Sequence, residues 1–387
     1  MFGKAINAMI FGELTNYSFY QNMLTIVILL SSYISLFLFR ITKKSDILNI
    51  SLLFIWHTLF SIIYYLFTLN NIADARKYYL DSLSLDYNVF YYGTQFITYV
   101  TSIFTQGIDA SYLNVTLIFN FFGSMGLILL YLSLKDFFIA MGRHWMLLLI
   151  LPSMSFWSAG LGKDSLAFFC TCLFLYSIVS NKKDPILLSV SFVLMFLIRP
   201  HIAFMMLMSY VIYFVVRAKV RIIFKVIILP IIFLGMISAF GVVQQFVGIG
   251  DISFDSVGEY VDKRQGTNLE GGSSLDISSL SYPMQMFTYI FRPLPFEAHN
   301  MLALVTSLEN LLLLCLFVYI LFKSRFNLKT WIHGKNLWLF SYVLLTCTVL
   351  ALTTANLGIA TRQKWMFMPV LIYLLMYAFY SKKQKVI

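Results

Sequence analysis

Charged residues interrupt an otherwise apolar chain at four turns, and their types suit the binding of an anion. Residues 156–169 read FWSAGLGKDSLAFF, which places Lys163 and Asp164 between two apolar runs. The other three stretches are LIRPH at 197–201, FRPLPFEAHN at 291–300 and NLGIATRQKW at 356–365. Arginine and lysine both bind phosphate oxygens, and arginine does so through two parallel hydrogen bonds. Several cations with few acids nearby therefore predict a site for a multiply charged anion such as pyrophosphate.

The turn at Lys163 combines a cation with the start of a helix. Asp164 and Ser165 are suitable caps for the helix that follows, and the N–H groups of its first turn favour an anion beside Lys163. A nucleotide P-loop is excluded, because Trp157 stands where that motif needs glycine and Asp164 where it needs Ser or Thr. The expected ligands of the anion are basic groups at the four turns: Lys163, Arg199, Arg292, Arg362 and Lys364.

Each of these patterns also has a purely structural interpretation. Lys163 with Asp164 is otherwise a capped helix start with a snorkelling lysine, and Arg199 with His201 a proline-bearing turn. The 291–300 stretch is otherwise an interfacial anchor with an internal ion pair. Basic residues such as Arg362 and Lys364 also commonly flank membrane spans. The further candidates are Asp74, Arg76, Asp164, Arg264 and Glu309. Asp74 and Arg76 are otherwise a solvated loop start, Asp164 a helix cap, and Glu309 a protonated or locally hydrogen-bonded structural acid.

Composition assigns the chain to the polytopic membrane proteins. Only 12% of its 387 residues are charged and 60% are hydrophobic, whereas soluble domains carry roughly 25% charged residues. Because about 20 apolar residues cross a bilayer as a helix, we predict an all-α chain that forms one transmembrane domain over residues 1–387. The apolar runs predict eleven spans: 17–39, 47–69, 111–134, 145–159, 165–181, 185–198, 202–217, 226–246, 300–322, 336–355 and 365–380.

Charge predicts the orientation of these spans. If alternate connections are cytoplasmic, they hold 18 of the 28 basic residues. The positive-inside rule then places the N-terminus outside and the C-terminus in the cytoplasm. The four cation-bearing turns and the two long connections, 70–110 and 247–299, all fall on the outer side. Function is therefore expected on the outer face, although the spans beside two of the turns are too short to reach it, so these turns should be recessed.

The four quoted stretches, with the SLENLLLL run at 307–314, resemble the O-antigen polymerase (Wzy)-like family of oligosaccharide repeat-unit polymerases over residues 145–380. The resemblance implies the polymerase and ligase branch of the multi-spanning GT-C type glycosyltransferases. It also implies a bacterial inner-membrane enzyme that joins undecaprenyl-pyrophosphate-linked repeat units without a metal or other cofactor. The expected partners are that lipid-linked oligosaccharide, membrane lipid, a chain-length regulator and a flippase, and no nucleic acid. The R-x10-G pattern of some members is absent, because Leu275 stands eleven residues after Arg264.

Glycosyl transfer of this kind needs a general base for the acceptor hydroxyl. The candidate bases are His201, Glu297 and His299, with the two histidines preferred over Glu297. One alternative enzyme uses a polyprenyl-monophosphate sugar and an outer-loop aspartate such as Asp74. Another alternative is a lipid-oligosaccharide flippase or transporter. No inverted repeat is found in the sequence, and charge is concentrated at the outer ends of the spans rather than at the bilayer midplane, both of which argue against a transporter.

Overall fold

The structure is a computed structural model that describes most of the chain. The described residues are 17–39, 43–84, 91–180, 184–217, 279–298, 300–325 and 328–384, with single positions among 12–15 and 221–230 and at 275 and 277. Predicted span 226–246 lies outside them apart from two positions, and so do most of 247–299, including Arg264 and His299.

The described residues fold into α-helices and short 3-10 helices, with no β-strand among them. The α-helices before residue 218 are α1 Phe19–Ser35, α2 Lys44–Asn70, α3 Asp74–Leu83, α4 Thr94–Gly107, α5 Tyr112–Met141, α6 Pro152–Ser158, α7 Lys163–Val179, α8 Pro185–Ile198 and α9 Pro200–Arg217. Those after residue 280 are α10 Tyr282–Phe291, α11 Met301–Lys323, α12 Asn336–Thr353, α13 Leu357–Gln363 and α14 Met368–Gln384. The 3-10 helices are Leu36–Phe39, Arg143–Leu149, Pro295–Glu297, Leu328–Thr330 and Lys364–Met366. The all-helical prediction is confirmed for this part of the chain.

Five of these helices are long and apolar enough to cross a membrane: α2, α5, α9, α11 and α12. Two further pairs pass the same test together but are bent, α6 with α7 by 112° and Leu357–Met366 with Met368–Ser381 by 62°. The fold is thus that of a polytopic membrane protein with five to seven candidate spans among the described helices. In place of predicted span 145–159 the structure has a 3-10 helix and the seven-residue α6, which is only about 10 Å long.

The long helices turn polar side chains inward and apolar ones outward. On α11, Glu309 and Asn310 are buried, whereas Leu308 and Leu312 are 54% and 50% exposed. This distribution is the reverse of that on a soluble amphipathic helix, and it is stable where the surroundings are hydrocarbon. Helix α5 differs, because 78% of its apolar stretch is buried inside the protein.

The chain divides into two compact units. The first comprises Met1–Leu132, Met146–Leu173 and Leu197–Arg199, and the second comprises Ser133–Trp145, Phe174–Phe196 and Pro200–Ile387. In the second unit, α12 packs on α9, α10 and α14. Trp338 of α12 lies against Tyr210 and Tyr213 of α9, with ring centroids 4.8 and 5.8 Å apart.

A buried histidine joins three helices of the first unit. His57 of α2 places Nδ1 2.6 Å from Asn120 Oδ1 on α5 and Nε2 2.8 Å from Ser158 Oγ on α6. Asn120 Nδ2 donates to Thr58 Oγ1 at 3.1 Å, so the amide oxygen faces the imidazole. The sequence predicts only a packed neutral histidine here.

Two glycines allow these helices to approach closely. A Cβ added at Gly123 would lie 2.0 Å from the carbonyl oxygen of Ser158, and one at Gly160 would lie 2.2 Å from the ring of Tyr64. A side chain at Gly123 therefore forces α5 or α6 to move, and one at Gly160 displaces the Tyr64 ring or the turn after α6. Since α6 leads into Lys163, this packing positions the first candidate site.

We expect Gly123→Ala to destabilise the protein by about 1–3 kcal/mol or more, because the new methyl group meets backbone rather than a movable side chain. Thermal unfolding in detergent measures the loss. Gly107→Ala is the matched control, since Gly107 ends α4 and no atom within the described chain lies within 4 Å of its added Cβ. Equal melting temperatures for the two variants would contradict the packing described here.

Candidate functional sites

The first site is the turn between α6 and α7 in the first unit. Lys163 begins α7, and its Nζ donates to Thr94 Oγ1 at 2.8 Å. Lys163 is half-buried, so its ammonium group lies at the edge of the packed interior. Helix α3 borders the same turn, because a Cβ at Gly162 would lie 3.7 Å from the ring of Tyr78.

Arg199 lies at the break between α8 and α9 and joins this site through an ion pair. Its Nη2 donates to Asp164 Oδ1 at 2.7 Å, and the Arg199 and Asp164 side chains are 8% and 16% exposed. The buried Nε of Arg199 has no hydrogen-bond partner among the residues that the structure describes. Pro200 begins α9, as predicted from its fixed φ and missing N–H.

A backbone hydrogen bond holds the α8 end of this site. Gly93 N donates to Leu197 O at 2.8 Å, and Gly93 has a φ of 74° that favours glycine. The start of α4, formed by Gly93 and Thr94, is thereby tied both to Leu197 and to Lys163. Asp164 was predicted as a helix cap, and in the structure its carboxylate also compensates Arg199.

Asp74 and Arg76 are at the start of α3. Asp74 is exposed in the first turn of that helix, and Arg76 is half-buried. Tyr78 of the same helix faces Gly162, so α3 is a neighbour of the Lys163 turn. The two residues thus remain candidates by position, whereas a side-chain bond links Arg199 to Asp164, the residue next to Lys163.

The second site belongs to the second unit and begins with Arg292 and Glu297. Arg292 Nε donates to Glu297 Oε1 at 2.8 Å and to Oε2 at 3.1 Å, and Nη2 also donates to Oε1. Glu297 Oε2 accepts a further bond from Leu294 N at 2.7 Å. Both oxygens of this carboxylate therefore already accept hydrogen bonds. This is the internal ion pair of the structural interpretation, and a carboxylate held in this way is not free to act as a general base.

Lys364 is the most deeply buried of the candidate residues. Its exposure is 0%, and its Nζ donates to Asn310 Oδ1 on α11. Asn310 Nδ2 donates in turn to Pro293 O at 3.0 Å. The buried carboxylate of Glu309 interacts electrostatically with Lys364. Asn310 therefore links the turn after α10 to the link between α13 and α14, a role that the sequence did not suggest.

Arg362 and His201 complete the candidates in the second unit. Arg362 is half-buried in the last turn of α13, two residues before Lys364. His201 is half-buried as the second residue of α9. His299 and Arg264 lie outside the described residues. Within the described chain, no group of three or more His, Cys, Asp or Glu side chains is placed to hold a metal ion.

Comparisons with known proteins leave these sites to be judged on their chemistry. No family model matches the chain, and neither a curated protein nor a solved structure does.

In the first site Lys163, Arg199 and Asp164 adjoin the N-terminus of a 17-residue helix. The partial positive charge of the helix end adds to that of the two cations. An anion is the ligand that this electrostatic arrangement favours. In the second site Arg292 is paired with Glu297, and Lys364 is fully buried against Asn310.

The two candidate lysines should differ in reactivity toward a polar amine-acylating reagent. We expect Lys163 to be modified in the folded protein and Lys364 to be protected, because the first is half-buried and the second fully buried. Exposed Lys77 on α3 is the matched positive control, and denatured protein shows that Lys364 is intrinsically reactive. Mass spectrometry of peptides quantifies each site, and early acylation of Lys364 would contradict its burial.

Proposed function

We propose that this protein is a membrane glycosyltransferase that polymerises undecaprenyl-pyrophosphate-linked oligosaccharide repeat units on the outer face of the bacterial inner membrane. The observation that carries the proposal is that two cations, Lys163 and Arg199, lie at the start of α7, where Arg199 pairs with Asp164. A cation inside a membrane segment is costly unless it has a function or a partner, and two cations gathered at one helix N-terminus favour an anionic ligand. The resemblance in sequence supplies the class of anion.

In this proposal the cations act on the leaving group. The hydroxyl of one repeat unit attacks the anomeric carbon of another, a new glycosidic bond forms, and the bond to the pyrophosphate oxygen breaks. Lys163 and Arg199 stabilise the charge that develops on the departing pyrophosphate. The proton of the attacking hydroxyl passes to a base, for which His201 and His299 are preferred because both oxygens of Glu297 are engaged.

The proposal includes a topology and a lineage. We propose eleven spans with the N-terminus outside and the C-terminus in the cytoplasm, on the excess of basic residues in alternate connections. We also propose membership of the polymerase and ligase branch of GT-C type glycosyltransferases. A chain-length regulator and a lipid flippase are the proposed protein partners.

A transporter of lipid-linked oligosaccharide is a second candidate, and one feature favours it. Glu309 and Asn310 stand about ten residues into α11, about 15 Å along its axis, which is near the middle of a bilayer core of about 30 Å. The adjoining α13 and α14 form a broken helix. Discontinuous helices around polar groups at mid-depth are a feature of transporters.

Purified protein in lipid nanodiscs, given a synthetic lipid-pyrophosphate repeat unit, should form a ladder of longer glycans. We expect Arg199→Ala to reduce the rate of ladder formation on the order of 100-fold, because a cation at the leaving group is lost. Arg217→Ala is the matched control, since Arg217 is an exposed arginine at the opposite end of α9. Gel electrophoresis and mass spectrometry measure the products.

Three results would change the assignment. An unchanged rate in folded Arg199→Ala protein would refute the proposed leaving-group site. Movement of labelled lipid across the bilayer without bond formation would support the transporter. Product formation only from a lipid-monophosphate sugar would support the alternative enzyme that uses such donors.

A further inference from the structure

Lys364 is buried at a point where a helix is interrupted. It begins the 3-10 helix Lys364–Met366, which links α13 to α14. Its side chain has no exposed surface. An ammonium group in this position is expensive unless neighbouring groups compensate it.

The compensation comes from α11 and from the turn after α10. Lys364 Nζ donates to Asn310 Oδ1, and Asn310 Nδ2 donates to Pro293 O at 3.0 Å. Because the amide nitrogen is engaged by Pro293, the amide oxygen is turned toward the lysine. Buried Glu309, the preceding residue on α11, adds an electrostatic attraction at longer range.

This chain of contacts connects three segments at one depth. Pro293 directly follows Arg292, and Lys364 stands two residues after Arg362. A displacement of either segment along α11 by one helical turn, about 5 Å, would separate Lys364 or Pro293 from Asn310. Both arginines are thereby held at a fixed depth relative to α11.

We propose that Lys364 is a positioning residue that does not itself bind substrate. With Glu309 and Asn310, it anchors the α13–α14 link on α11 and so sets the depth of Arg362. This differs from its predicted role as a ligand of the pyrophosphate. Only the activity measurement below rests on the proposed function, because the packing of Lys364 itself is measured through thermal stability.

A double-mutant cycle tests whether the charges of Lys364 and Glu309 stabilise each other. Lys364→Met leaves a buried carboxylate without its cation, and Glu309→Gln leaves a buried cation without its carboxylate. Removing one member of a buried charge pair is strongly destabilising, whereas removing both charges is often tolerated. We expect each single variant to lower the melting temperature by about 5 °C or more, and the double variant to recover most of that loss. Lys77→Met, at an exposed lysine, is the control and should melt like the unmodified protein.

The glycan ladder of the double variant separates positioning from ligand binding. We expect the folded double variant to retain product formation within about tenfold of the unmodified protein, because no buried charge is then left uncompensated and the α13–α14 link can still pack on α11. A double variant that is stable but forms no product would overturn the proposal, and would return Lys364 to the substrate ligands. A double variant no more stable than the singles would also overturn it.

The cycle remains decisive if a single variant does not fold. Folding of the double variant alone would then be the clearest support for this mutual stabilisation. If the unmodified protein forms no glycan product, the proposed function fails, while the melting temperatures still decide whether the charges of Lys364 and Glu309 stabilise each other.

Discussion

A helix that breaks inside a membrane protein leaves backbone carbonyl groups without their usual donors, and lipid cannot supply others. At three such breaks in this chain, a donor from elsewhere takes that place. Gly93 N bonds Leu197 O at the end of α8, Asn310 Nδ2 bonds Pro293 O after α10, and Tyr342 Oη bonds Met366 O before α14. The positions of the candidate side chains depend on this requirement, because they stand at or beside these interruptions.

The charged side chains at these breaks also need compensating groups, and they differ in which groups compensate them. Arg292 is engaged through two nitrogens by a carboxylate five residues away, so its role is largely local. Arg199 is held through one nitrogen by Asp164, and it stands beside a second cation. Lys364 is enclosed and depends on an amide and a carboxylate of α11. Similar residues at similar turns therefore have different capacities to bind an anion.

Much of the architecture was predictable. Runs of apolar residues indicated the long helices α2, α5, α9, α11 and α12 because hydrophobic length is a local property of sequence. The proline after Arg199 likewise indicated a helix start. The bend of 112° between α6 and α7 was not predictable from length, since two short apolar segments are equally compatible with two spans or with one broken span. The distinction is made by packing, including the close approach at Gly123 and Gly160.

The residues of the sites were predicted in type, but among their pairings only the local ion pair within 291–300 was predicted. Composition and spacing by themselves determined that this is a helical membrane chain and that Lys163, Arg199, Arg292 and Lys364 stand at helix ends, because hydrophobicity and helix signals are local. Asn120 and Asn310 carry no charge and so did not stand out from the apolar runs around them, although an amide within an apolar span is itself a signal of a buried partner. Only the tertiary structure decided that Asp164 compensates Arg199 across 35 residues and that Asn310 holds Lys364 across 54. Such pairings depend on which helices pack together, and that packing is set by contacts distant in sequence that no local pattern records.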